Sequence, residues 1–263
     1  MSESSILFES ANGIARITLN RPEKLNSFTQ AMHAALRDAF DRAEQDAATR
    51  VIVLAASGRG FCAGQDLADE GVDPTLGEVK LQHTLENNYK PLITRIANAR
   101  MPVIAAVNGV AAGAGVSLAL ACDIVVASHS ASFVMAFSKI GLIPDAGATY
   151  LFPRAIGTPL ALALSLTGEK LTAERAAQLG MIWKCVPDAD FAAAVSALAK
   201  QLADGAPRAL QAIKSMTRAS VSQSLAQSLD AETAMQDALG KSADYAEGVA
   251  AFKAKRAAQF SGK

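Results

Sequence analysis

Two glycine-bearing turns hold the groups with the clearest chemical use. Residues 108–115 read NGVAAGAG; the apolar run Val103–Val107 precedes them and the apolar segment Val116–Ala121 follows. That order spells strand, tight turn and buried helix. Gly109, Gly113 and Gly115 let backbone approach backbone with no side chain between. The first amides of a helix have no partner inside it, and with the helix dipole they suit a developing negative charge. Residues 57–67 read SGRGFCAGQDL and follow a second β-like run, Val51–Ala55. Each turn could aim one N–H at a single oxygen, which is an oxyanion hole. A phosphate loop and a turn with a packing role alone are the alternatives. The dinucleotide pattern G-x-G-x-x-G fails at Leu118, and the Gly-Lys-Ser/Thr loop fails because no Lys lies between Met101 and Ala136.

Among titratable groups, Asp145 sits in Ile143-Pro144-Asp145-Ala146-Gly147. A short carboxylate on a Pro-containing turn has little freedom, as a positioned proton carrier should. Its apolar neighbours Leu142, Ile143 and Ala146 would raise its pKa toward neutrality. Capping the helix that follows is the competing use, and the residues alone leave both open. His33, His83 and His129 are scattered, with His33 read as a surface or packing residue. Cys62 reads as a small buried thiol rather than a nucleophile. Asp123, after the buried helix, suits turn hydrogen bonds. Cys62, Cys122 and Cys185 are far apart and show no C-x-x-C spacing, so neither a disulfide framework nor a metal centre is expected.

The elements that must position these groups follow from periodicity. Ile6–Glu9 and Ile14–Leu19 flank Asn12-Gly13, a hairpin signal. Residues 27–45 read as an amphipathic helix with Phe28, Met32, Leu36, Phe40 and Ala43 on one face. Leu81, Leu85, Leu92 and Ile96 give a second helical stripe, which Pro91 should bend or restart. Short strands are expected over 124–127 and 132–135, then mostly helices from Ala148. Thr172 is expected to cap a helix ending near Gly180, Asp188 or Asp190 to start another, and the last helix to run over about 244–260. With 263 residues, 51% of them hydrophobic, the chain can bury a large core as one domain. Lys+Arg and Asp+Glu both number 25, which speaks against general nucleic-acid binding. No leader and no membrane span is evident, and a reducing cytoplasm is the default compartment.

The phrases FCAGQDL, AAVNGVAAGAG, ACDIVVAS and IGLIPDAG, in this order, resemble the crotonase (enoyl-CoA hydratase/isomerase) superfamily from about Ile6 to Phe260. The resemblance implies an α/β fold, a spiral of repeated ββα units over residues 1–200 with a C-terminal helical region over 201–263 that packs between subunits. A homo-oligomer follows from it, a trimer or dimer of trimers. It implies an acyl-CoA thioester substrate, no separate cofactor because coenzyme A is part of that substrate, and an enolate held by two backbone amides. Matched by motif, these are the amides of Ala63 and Ala114. Along CoA it places Lys24, Leu25, Ala63, Gln65, Asp66, Leu67 and Gly113, with Phe252 and Lys255 reaching in from a neighbouring subunit. Ordinary solvated lysine is the competing reading for Lys24 and Lys255. The segment over 71–99 is where acyl selectivity is expected.

The positions that carry acids in the water-adding members hold Ser117 and Phe137, which cannot do carboxylate work, so the hydratase pattern is broken at both. Asp145 remains as the acid/base candidate: related isomerases place an Asp at this turn, and so does an aryl-CoA dehalogenase, where it would act as a nucleophile on an aryl carbon. Residues 133–147 (FVMAFSKIGLIPDAG), 180–183 (GMIW) and 241–245 (KSADY) are similar to the branch serving bacterial phenylacetate catabolism. This implies isomerisation of ring-1,2-epoxyphenylacetyl-CoA to oxepin-CoA, or a shift of a double bond from β,γ to α,β. A general enoyl-CoA Δ-isomerase, a hydratase-type enzyme, an aryl-CoA dehalogenase and an inactive acyl-CoA-binding relative stay as alternatives.

Overall fold

The computed structural model describes residues 4–263; residues 1–3, part of the stretch weighed as a leader, lie outside the described residues. The chain opens with the expected hairpin, β1 (Ile6–Ala11) antiparallel to β2 (Ile14–Leu19), its turn made by Asn12 and Gly13, both at positive φ. Helix α1 (Gln30–Gln45) starts three residues later than its apolar stripe suggests, because the Thr29 side chain caps it through Met32 N–H. Phe28 is instead extended and bridges Gln65. Strand β3 (Val51–Ala56) leads into β4 (Gly60–Cys62). Next come α2 (Leu81–Thr84), a π-turn over Leu85–Tyr89, and α3 (Lys90–Asn98), which carries Pro91 in its first turn. The bend expected at Pro91 coincides with an extra-residue turn just before it.

Strands β5 (Val103–Val107) and β6 (Val110–Ala112) lead to α4 (Ala114–Ala121), then β7 (Ile124–Ser128) and β8 (Ser132–Val134). After a 3₁₀ turn over Ala136–Ile140 come α5 (Ala148–Ile156), α6 (Thr158–Thr167), β9 (Lys170–Thr172), α7 (Ala173–Gln178) and β10 (Lys184–Val186). Thr172 does cap α7, accepting from Arg175 N–H. The chain ends with α8 (Phe191–Ala203), α9 (Pro207–Ser220), α10 (Leu225–Gly240) and α11 (Ala243–Ala254). A division at residue 200 falls inside α8, whose Val195, Leu198 and Ala199 are buried against the sheet. The last helix ends six residues earlier than its spacing suggests. Lys255 turns left-handed, and the tail folds back so that Asp244 accepts from the amides of Ser261 and Gly262.

The strands sort into two sheets. Six, in the order β1-β2-β3-β5-β7-β10, make one; β4-β6-β8-β9 make the other. Strands β3, β5 and β7 each lie in the large sheet and hand the chain to β4, β6 and β8 in the small one. The large sheet is covered on both faces. Val51, Val53, Ile104 and Val126 meet α8, while Ile52, Leu54, Ala105 and Ala127 face the main core. That is why its strands read as unbroken apolar runs rather than alternating ones. The strands β4 and β6 have three residues each and lie within the glycine-rich segments, where no alternation marks them.

Candidate active site

The two glycine turns meet because they leave neighbouring strands at the same end. Strands β4 and β6 are parallel partners, and so are β6 and β8. Their carboxyl ends deliver residues 63–65, residues 113–114 and the Ala136–Ile140 turn to one place, as open α/β sheets commonly do at ligand sites. The contact is close. A Cβ on Gly115 would stand 2.1 Å from Cys62 O, and one on Gly64, at φ +89°, would stand 3.2 Å from Ala114 N. No side chain fits at Gly115, and at Gly64 the left-handed backbone adds strain to a tight contact.

These turns, the α2 segment and the turn before α5 enclose a cavity of ≈ 200 Å³. Gln65, Tyr89, Ala114, Phe137 and Asp145 line it, with Leu81 and Leu85 on the far wall. Asp145 is the carboxylate among the cavity's lining residues. Its Oδ1 is buried without a hydrogen-bond partner, and burial pushes its pKa up to about 6. Its backbone is held firmly: Asp145 O accepts from Ser117 Oγ at 2.9 Å and from Ala148 N at 2.9 Å. No side chain caps α5, whose N-cap residue is Gly147, so the helix-cap use of Asp145 does not hold.

One of the two amides assigned by motif is already engaged. Ala63 N–H donates to Leu25 O at 2.9 Å, which removes it as an oxyanion donor. Gly64 N–H is given to Cys62 Sγ at 3.4 Å and Asp66 N–H to Phe28 O at 2.8 Å. Among residues 63–66 of this turn, the amide with no partner among the described residues is that of Gln65. Ala114 N–H likewise has none, at the first position of α4. The unspent pair is therefore Gln65 and Ala114, two positions from the motif match on one side and identical on the other. The shift arises because Phe28 and Leu25 pair with the turn on alternate residues, a long-range contact that no local pattern marks.

The other sequence-derived residues divide. Ala63, Gln65, Leu67 and Gly113 line the cavity. Asp66 is spent on an ion pair with Arg21 at 3.0 Å, which also ties down Ser27 O. Lys24 is exposed and Leu25 half-buried on the adjoining left-handed turn. Phe252, 85% exposed, lines a separate apolar space of ≈ 800 Å³ between α9, α10 and α11, and Lys255 follows α11 outside the Asp145 cavity. His83 faces outward, also away from that cavity. Cys62 is fully buried and its thiol is pushed up to about 12, so it stays protonated. His33 is no surface residue: it is 1% exposed, with both ring nitrogens unpartnered, and burial lowers its pKa to about 4. No group of metal-ligating residues occurs among the described residues. Sequence reading passed over Tyr89, though it lies four residues after Leu85 on the helical stripe.

The family model for enoyl-CoA hydratase/isomerase matches residues 9–263. The chain belongs to this family. Its crotonase fold, with two sheets and C-terminal helices, is that of solved relatives: an enoyl-CoA hydratase from Bacillus anthracis superposes with a TM-score of 0.92 at 30% identity, covering 98% of this chain and 100% of the other. The chain is 49% identical, over 98% of both chains, to the 1,2-epoxyphenylacetyl-CoA isomerase of Escherichia coli (strain K12). It is 34% identical, over 99% of this chain and 100% of the other, to the 2,3-dehydroadipyl-CoA hydratase of the same organism. Crotonase membership makes it an enzyme, with an acyl-CoA substrate implied.

Proposed function

We propose that the protein is an acyl-CoA isomerase that converts ring-1,2-epoxyphenylacetyl-CoA to oxepin-CoA and also shifts double bonds from β,γ to α,β. The observation that carries this is the cavity's single acid. One half-buried carboxylate, Asp145, whose Oδ1 is buried without a partner, shares the cavity with the unspent amides of Gln65 and Ala114, while Ser117 and Phe137 stand where a water-adding site needs acids. Asp145 takes a proton from the carbon next to the thioester. The two amides hold the enolate oxygen, helped by the positive end of α4. Asp145 then returns the proton at the far end of the conjugated system. With the epoxide substrate the bond between the two epoxide carbons also breaks as the six-membered ring expands to the oxepin, its electrons going into the ring's double bonds, so the product is an isomer and nothing is consumed. A single base that stays near the substrate serves both halves of this transfer, and a pKa near the working pH suits it.

CoA lies along the turns at Lys24–Leu25 and 63–67, with the thioester between Gln65 and Ala114. Phe252 and Lys255 serve the site of a neighbouring subunit, which their distance from their own cavity supports, and the assembly is a trimer or dimer of trimers. Three free thiols suit the cytoplasm. The deciding experiment is a panel of epoxyphenylacetyl-CoA, a 3-enoyl-CoA and crotonyl-CoA with the purified protein. The expected result is turnover of the first two with solvent deuterium entering at carbon, and little hydration of the third. Rapid hydration of crotonyl-CoA without isomerisation overturns the reading.

A further inference from the structure

We propose that Tyr89 is a positioning residue for the oxyanion donor: its hydroxyl holds the Gln65 side chain and so fixes where the Gln65 N–H points. This rests on the enolate-stabilising reading of the site. A backbone amide has no side chain of its own to aim it, so its direction depends on what grips the residue around it. At Gln65 the grip is two-sided. On the backbone, Phe28 N–H donates to Gly64 O at 2.7 Å and Phe28 O accepts from Asp66 N–H at 2.8 Å, which brackets the residue. On the side chain, Tyr89 O–H donates to Oε1 at 2.9 Å, and Nε2 donates to Asp69 Oδ2 at 3.3 Å. Asp69 Oδ2 is itself fixed by the first amide of α1, Gln30 N–H, at 3.0 Å.

The two grips are joined by a ring cluster. His33 stacks on Phe28 at 4.5 Å between centroids and meets Tyr89 edge-on at 4.5 Å. Tyr89 is 3% exposed, so its ring has no room to swing. Tyr89 also belongs to the wall that an acyl group would touch. The π-turn over Leu85–Tyr89 places Leu85 and Tyr89 on the same cavity face, beside Leu81. Extra-residue turns of this kind recur where a helix is shaped for function. A substrate seated against Leu81 and Leu85 therefore presses on the turn that holds the donor.

Tyr89→Phe removes the hydroxyl and keeps the ring cluster. It is expected to lower kcat roughly 10- to 100-fold, the scale of a misplaced reacting group, with KM within about threefold. The acid limb of the pH profile, set by Asp145, should not move. In a Gln65→Ala background, which keeps the amide and removes the side chain, Tyr89→Phe should cost almost nothing further. Amide hydrogen exchange in a peptide covering 61–67 should be faster in Tyr89→Phe at unchanged Tm. Unchanged kcat, an equal loss in the Gln65→Ala background, or unchanged exchange each overturn the proposal. If the wild type turns over no acyl-CoA thioester, the functional reading fails, and the exchange result alone then judges the clamp.

Discussion

The two ends of α4 carry opposite solutions to the same problem, an aspartate beside a helix terminus. At the N-terminal end, Ala114 N–H is unspent and the nearby Asp145 carboxyl is half-buried, its Oδ1 buried without a partner. At the C-terminal end, Asp123 is saturated. It accepts from Val103 N–H at 2.8 Å and pairs with Lys214 and Arg218, each at 2.8 Å. Arg218 also donates to Ala121 O, one of the helix's last carbonyls, where the dipole favours a cation. One end leaves charge capacity for a ligand; the other uses all of it to bind α9 to the core. Reactivity here comes from withheld pairing, and rigidity from complete pairing.

Breaking the unpaired end should cost chemistry and spare the fold. Asp145→Asn is expected to lower turnover by about three orders of magnitude or more while CoA binding, read by calorimetry, is kept. Its Tm at pH 7 should rise. The folded pKa of about 6 lies above the ordinary 3.8, so the folded state loses stability as pH climbs through that window, and the amide removes this penalty. Breaking the paired end should do the reverse. Asp123→Ala leaves Lys214, whose side chain is 6% exposed, without its counter-charge. Denaturation should show a loss of about 3–5 kcal/mol, with kcat per folded molecule near normal.

Two smaller effects sharpen the contrast. With the site's base ionised only above about 6, kcat/KM should fall about tenfold per pH unit below that value, and the limb should vanish in Asp145→Asn. Ser117→Ala removes one hydrogen bond to Asp145 O, worth about 1 kcal/mol, so a loss of roughly fivefold in kcat is expected. An unmoved kcat there would mean the Pro144 turn holds Asp145 without help.

Much of this was legible in the chain itself. Unbroken apolar runs at 51–55 and 103–107 mark strands covered on both faces, because a doubly covered strand has no polar side to show. Of the glycines at 109, 113 and 115, those at 109 and 115 do mark close backbone approach, while Gly113 faces the Phe137 ring, and an aspartate behind a proline marks a held carboxylate. Local residue chemistry dictates these features, so they survive without coordinates. Folding was needed to choose between Ala63 and Gln65, since strand contacts from Leu25 and Phe28 decide which amide is left over. It was also needed to seat Tyr89 against Gln65 and Lys214 against Asp123, pairs separated by 24 and, for Arg218 on the same carboxylate, 95 positions. Such partners are set by how strands and helices stack, and a pattern that repeats every two or 3.6 residues carries no trace of them.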